Sequence, residues 1–222
     1  MSISIFDVIG PVMIGPSSSH TAGAARLSRT AAAIVGKPFH GVIFGLHGSF
    51  AKTHQGHGTD IALLAGALGI REDDEQMVHA VELAKQRNLA YTFEEVELNG
   101  VHENTVQFTF FCDDGTVQKI TGSSIGGGQI MITKINGFDT EFTANAATLM
   151  ISHHDTKGVI SKITGILSDA GINIAVMKLS RKSRGDDAFC IIETDDVLGG
   201  DIVEKIKLVP AVEHVQALNK ID

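Results

Sequence analysis

Residues 149–181, LMISHHDTKGVISKITGILSDAGINIAVMKLSR, decide the fold of the C-terminal part of this chain. Val159, Ile160, Ile163, Ile166 and Leu167 recur at i, i+3, i+4 and i+7 spacing, so they make one apolar stripe on a helix from about Gly158 to Asp169. Gly171 stands where a left-handed C-cap ends such a helix. The stripe is flanked by apolar strand-forming runs at Thr148–Ser152 and Ile172–Leu179. Downstream come a turn at Ser183-Arg184-Gly185-Asp186, a strand Ala188–Thr194, a helix Asp201–Val209 stopped by Pro210, and a strand Val212–Leu218. The order βαββαβ predicts a split βαβ, ferredoxin-like sandwich over residues 148–222.

Residues 1–147 follow a different grammar, because most of the chain's 24 glycines lie there and interrupt any period. The expected elements are helices at Ala22–Val35, Asp60–Leu68 and Met77–Gln86, with an acidic linker Arg71–Glu75. Strands are expected at Val42–Leu46, Tyr91–Asn99, Thr105–Cys112, Val117–Gly122 and Ile130–Ile135. This is an α+β domain with a mostly antiparallel sheet. Gly137–Ala147 has no strong period and reads as the linker between the two domains.

The 222 residues are 43% hydrophobic and 20% charged, which is ordinary globular composition and excludes disorder or a fibre. A formal net charge of -8 speaks against nucleic acid as a partner. The N-terminus lacks a basic leader and no apolar run approaches membrane length, so a cytoplasmic protein without membrane association is expected. Cys112 and Cys190 are the only cysteines. They fit reduced core thiols, and they are too few for a four-iron cluster, which takes three or four thiolates.

Three segments carry the chemistry. Gly15-Pro16-Ser17-Ser18-Ser19-His20-Thr21-Ala22-Gly23 precedes an alanine-rich helix. Helix N-termini present unpaired N–H groups and positive dipole ends, and five consecutive polar side chains exceed what one cap needs, so a small anion is the expected ligand. The segment Gly45-Leu46-His47-Gly48-Ser49-Phe50-Ala51-Lys52-Thr53-His54-Gln55-Gly56-His57-Gly58-Thr59-Asp60 again ends at a helix start. Flanking glycines let a substrate approach His57 closely. His47, His54, His57 and Asp60 are an alternative ligand set for a metal, although His54-x-x-His57 spacing is not specific. Gly122-Ser123-Ser124-Ile125-Gly126-Gly127-Gly128-Gln129 suits an anion nest or a wide turn. Neither a dinucleotide fingerprint nor a P-loop is present.

The strings FDVIGPVMIGPSSSHTAGA, GSFAKTHQGHGTDIALLAG and SIGGGQI, in this order, resemble the β-chain family of bacterial iron–sulfur L-serine dehydratases, and the resemblance covers essentially the whole chain. It implies an allosteric-substrate-binding-like N-terminal fold, also found in some 3-phosphoglycerate dehydrogenases. Residues 149–181 are similar to an ACT domain, an amino-acid-sensing module that commonly pairs with itself. The implied reaction takes L-serine to pyruvate and ammonia on a 4Fe-4S cluster ligated by a separate α-chain, with one iron open to the serine hydroxyl.

On that resemblance Ser17, Ser18, Ser19, His20 and Thr21, with Gly126 and Gly127, are expected to bind substrate. His57 is expected in proton transfer or in stabilising the departing hydroxyl, oriented by Thr59 and Asp60, and the proton-abstracting base can equally come from the α-chain. No metal ligand is assigned to this chain. In the ACT part, Asp155, Gly158 and Asn173 are the expected effector residues, with Asp155 and Asn173 expected at adjacent ends of neighbouring strands, but Lys157 stands where many members have proline. Competing readings are a stand-alone serine-sensing regulator without catalysis and a mononuclear metal hydrolase built on His47, His54 and His57.

Overall fold

In a computed structural model of the chain, which describes residues 12–54 and 56–219, two compact units meet at Gly137/Phe138. In the first unit a single turn of π-helix, Ser18–Ala22, runs directly into helix α1, Gly23–Val35. Strand β1 (Phe39–Leu46), a short helix α2 (Gly48–Thr53) and helix α3 (Thr59–Ala67) follow. A 3₁₀ turn Glu75–His79 then leads into α4 (Ala80–Gln86), so the helix expected from Met77 begins in tighter geometry. The strands are β2 (Ala90–Glu95), β3 (Thr105–Cys112), β4 (Val117–Gly126) and β5 (Gln129–Ile135). They order as β2-β1-β3-β4-β5, with β1 and β2 parallel and the other pairs antiparallel. The helix α2 was not expected from the sequence.

Small residues set how the helices lie. A Cβ on Gly66 of α3 would collide with the Ala25 carbonyl and the Arg29 amide of α1, so the two helices cross at a distance only glycine allows. On the other side of α1, a Cβ on Gly122 of β4 would press into Leu27, and one on Gly23 would press into the Ser124 hydroxyl. The helix therefore lies close over β4 at two points. Phe44, Phe50, Phe108 and Phe110 fill the core beneath, all at 0% exposure.

The second unit holds β7 (Ala147–His154), α5 (Val159–Asp169), β8 (Ile174–Arg181), β9 (Asp187–Thr194), α6 (Gly200–Lys207) and β10 (Val212–Leu218). Its antiparallel sheet orders as β10-β7-β9-β8. The expected stripe is the buried one: Val159, Ile163 and Leu167 pack with Leu149, Ile151, Cys190 and Ile192 of the sheet and with Ile202 and Ile206 of α6. Gly171 has φ 71°, as a left-handed cap requires. The stretch read as linker contains strand β6, Phe138–Phe142, which belongs to this unit. Phe138 stacks on Phe189 at 5.7 Å, and the Ser180 hydroxyl donates to the Asp139 carbonyl.

Among the described residues no helix is long and apolar enough to cross a membrane.

Candidate active site

The loop before α1 and the loop before α3 come together. Ser17 has extended backbone geometry and caps the π-turn: its hydroxyl accepts from the His20 N–H at 3.0 Å, and its carbonyl accepts from the Thr21 and Ala22 amides at 3.0 and 3.2 Å. A π-turn widens the helix start and is a recurrent feature of functional sites. The buried Thr21 hydroxyl donates to the His57 carbonyl at 3.2 Å, which ties the second loop to the first. The starts of two helices thus meet, and both contribute positive dipole ends.

His20 stands at the centre. Its Nε2 lies 3.1 Å from the Ser49 hydroxyl on α2, its ring meets Phe50 edge-on at 5.2 Å, and the His57 ring is 5.1 Å away. Burial first, and then the neighbouring His57, hold the His20 pKa below its ordinary 6.5. The neutral form of the His20 imidazole is therefore favoured. Beside this group a cavity of about 240 Å³ is lined by Ile14, Gly15, Pro16, Thr21, His57 and Ile61 among others.

The third segment is linked to the first through one bond: the Ser124 hydroxyl donates to the Ser19 carbonyl at 2.9 Å. Gly126, Gly127 and Gly128 form the β4–β5 turn with φ of 106°, 58° and 76°. Positive φ at three successive positions explains the glycines by turn geometry.

Of the expected substrate-binding hydroxyls, Ser17 and Thr21 are engaged within the loops. Ser18 and Ser19 are half-buried, and their hydroxyls bond to no other described residue. Thr59 and Asp60 do not orient His57. The Thr59 hydroxyl is buried without a partner among the described residues, and the Asp60 carboxylate accepts from the Ile61 N–H at 2.9 Å. His57 is positioned by backbone, through Thr21 and through its own N–H to the Thr53 carbonyl at 3.3 Å. Sequence reading missed Ser49, Phe50 and Ser124 as parts of the site. The alternative metal set also disperses. His47 Nδ1 accepts from the Leu98 N–H at 3.2 Å, and His54 Nδ1 donates to the Ala51 carbonyl at 3.0 Å. The one cluster of ligand-type side chains among the described residues is His154, Asp187 and Glu213, elsewhere and largely exposed.

Two free thiols do not fit an iron–sulfur cluster on this chain. Cys112 lies in the core of the first unit and Cys190 in that of the second, where burial pushes its thiol up to about 12. Cluster ligation needs several accessible thiolates at one place.

The expected effector residues do not converge either. Asp155 follows β7 and accepts from Arg181 Nη1 at 2.7 Å and from the Gly185 N–H at 3.3 Å, while Asn173 precedes β8 and donates to Asp195 at 2.6 Å. The strands β7 and β8 run parallel with β9 between them. The end of one and the start of the other are therefore at opposite ends of the sheet, which corrects the expectation that these residues are neighbours. Gly158 opens α5 with φ 85°.

The βαββαβ unit of this order, following an α+β domain in the chain, is an ACT domain, and the ACT family profile matches residues 147–209. The chain belongs to the serine dehydratase beta chain family, whose profile matches residues 4–87. It is 38% identical over 212 residues to the probable L-serine dehydratase, beta chain, of Bacillus subtilis (strain 168), covering 96% of each chain. To the L-serine dehydratase, beta chain, of Peptoniphilus asaccharolyticus it is 40% identical over 196 residues, 88% of each. It is also 30% identical over 184 residues to the D-3-phosphoglycerate dehydrogenase of Bacillus subtilis (strain 168), which is 82% of this chain and 35% of that one. The ACT domain from the GTP pyrophosphokinase of Chlorobium tepidum covers 32% of this chain and 95% of its own, at 26% identity and TM-score 0.28.

Proposed function

We propose that this chain is the substrate-holding subunit of a two-chain L-serine dehydratase, and that a separate α-chain supplies all the ligands of a 4Fe-4S cluster. Membership in the beta-chain family makes it a subunit of a lyase acting on L-serine. The observation that carries the division of labour is the joining of two helix-start loops, with the Thr21 hydroxyl on the His57 carbonyl and the His20 and His57 rings 5.1 Å apart, in a chain with two core cysteines.

Loss of the Cα proton and of the hydroxyl as water turns L-serine into aminoacrylate, which water converts to pyruvate and ammonia. Removing that proton beside a carboxylate builds enolate-like negative charge. Oriented donors that do not reorganise stabilise such charge most effectively. Ser18 and Ser19, with hydroxyls not engaged by the loops, hold the carboxylate in the positive field of the helix starts. His57 moves a proton to or from the reacting substrate, and Thr21 positions it through the backbone.

Ser18→Ala in the assembled enzyme tests this arrangement. A hydrogen bond to a charged group contributes about 1.5–3 kcal/mol, so KM for serine should rise roughly 10- to 100-fold while kcat changes far less. An unchanged KM would remove Ser18 from the carboxylate site.

The ACT unit we assign to self-association, not to the reaction centre. Its β8 is the last strand of the sheet order and carries exposed Val176 on one face and exposed Met177 and Leu179 on the other, apolar surface suited to packing against a second copy. Sedimentation with and without residues 138–222 tests it. The shortened chain should remain monomeric and still bind the α-chain, whereas unchanged self-association would place the contact elsewhere.

A further inference from the structure

We propose that Ser49 is a positioning residue whose hydroxyl donates to His20 Nε2, holding His20 in the tautomer with its proton on Nδ1 and so making Nδ1–H a donor to the substrate carboxylate. The inference rests on the functional reading above, in which His20 belongs to the carboxylate-binding loop.

The Ser49 hydroxyl is held in place from three sides. Its own N–H donates to the Glu103 carbonyl at 2.9 Å. Gly48 before it takes φ 58°, and a Cβ there would strike the Glu103 carbonyl, so the turn into α2 admits only glycine without strain. Phe50 after it is completely buried and meets the His20 ring edge-on, at an interplanar angle of 77°. The ring and the hydroxyl are thus presented to each other by groups that cannot move independently.

Counting donors and acceptors decides the direction of the 3.1 Å contact. Among the described residues, His20 Nε2 is the only side-chain partner of the Ser49 hydroxyl, and His20 Nδ1 has none. If the hydroxyl donates, its hydrogen and the Nε2 lone pair are both used, and the single unfilled group is an Nδ1–H. If Nε2–H donates instead, the hydroxyl hydrogen has no acceptor among the described residues, and Nδ1 would offer an anionic ligand only a bare lone pair. The first arrangement adds a donor to Ser18 and Ser19; the second sets a lone pair against an anion. The tautomer of an imidazole is set by the hydrogen bond its other nitrogen makes. Burial and His57 keep the ring neutral, which is the condition for a tautomer to exist at pH 7.

The test reads the ring directly. On the full chain labelled with ¹⁵N in its histidine side chains, and with His20 assigned by a His20→Gln variant, Nδ1 should be the protonated nitrogen and Nε2 the bare one at pH 7.5. Ser49→Ala should relax His20 toward the tautomer mixture of free histidine, and Ser49→Thr, which keeps a hydroxyl, should restore the wild-type pattern. In the assembled enzyme Ser49→Ala should raise KM for serine roughly 10-fold with kcat within about twofold, the size of one lost hydrogen bond to a charged group. A proton on Nε2 in the wild-type chain, or a Ser49→Ala enzyme with unchanged KM, overturns the proposal. The tautomer is read without turnover, so an assembled enzyme that makes no pyruvate would overturn the functional reading separately. Wild type and Ser49→Thr decide the matter even if Ser49→Ala fails to fold.

Discussion

In the assembled enzyme, His57→Ala should lower kcat at least roughly 100-fold, the usual scale for losing a general acid or base, while the variant still folds and binds the α-chain. The structure gives a reason to expect so clean a separation. His57 is exposed, and it is held through its backbone: its carbonyl accepts from Thr21 and its N–H reaches the Thr53 carbonyl. Truncating the imidazole leaves both bonds in place, so the loop keeps its path and only the proton-transfer group is removed. The pH profile adds a second readout. Burial and the facing His57 hold His20 below 6.5, and a protonated His57 would oppose the charging of His20. Removing that imidazole should therefore raise the His20 pKa toward its ordinary value. The folded-state pKa lies below the unfolded one, so His20 contributes stability that is present above pH 6.5 and is lost as pH falls toward the folded value. In His57→Ala that window should narrow. A variant with near-full turnover would take His57 out of the reaction.

Phe50→Ala should cost about 3–5 kcal/mol of folding stability, the range for emptying a fully buried phenylalanine site. Phe50 has 0% exposure on the six-residue helix α2, where it is the one buried residue. Helices this short are not stable by themselves, so α2 depends on Phe50 as its apolar anchor, beside the Ser49 N–H bond to the Glu103 carbonyl. The same ring meets His20 edge-on. Phe50→Ala should therefore also loosen the His20–Ser49 contact and raise KM for serine, a coupling that an ordinary core truncation far from the site would not show. Denaturant unfolding of the chain measures the first effect. A loss below about 1 kcal/mol would mean that the site collapses around the gap and that α2 is held by something other than Phe50.

These expectations depend on elements that differ greatly in how readable they are. The C-terminal unit was legible because its burial follows simple periods: Val159, Ile163 and Leu167 repeat on one face of α5, and β10 occupies Val212–Leu218 as expected. The strand β3 likewise spans Thr105–Cys112, where alternating Val106, Phe108, Phe110 and Cys112 are buried. The helix α2 was not legible, since glycine opens it, it has one apolar anchor, and it is shorter than two turns. The strand β6 is too short to establish alternation within a polar stretch.

Within the candidate site, the sequence singled out two loops that the fold brings together, because runs of hydroxyls and paired glycines before helices have few structural uses. It could not supply the pairings. His20 meets Ser49 across 29 positions, and Ser124 meets the Ser19 carbonyl across 105. Nor could it separate hydroxyls that serve the loop, as in Ser17 and Thr21, from those that bond to no other described residue, as in Ser18 and Ser19. The expected adjacency of Asn173 and Asp155 failed for a topological reason. Strand order, not chain order, decides which strand ends are adjacent, and β9 lies between β7 and β8.

The most direct test of the central claim is pyruvate formation from L-serine, measured anaerobically, by this chain alone, by its cysteine-bearing α-chain alone, and by the two together. Activity should appear only in the mixture, with iron and sulfide recovered on the α-chain and none on this one. Serine deamination by this chain alone, or iron–sulfur absorbance that follows Cys112 or Cys190, would contradict it.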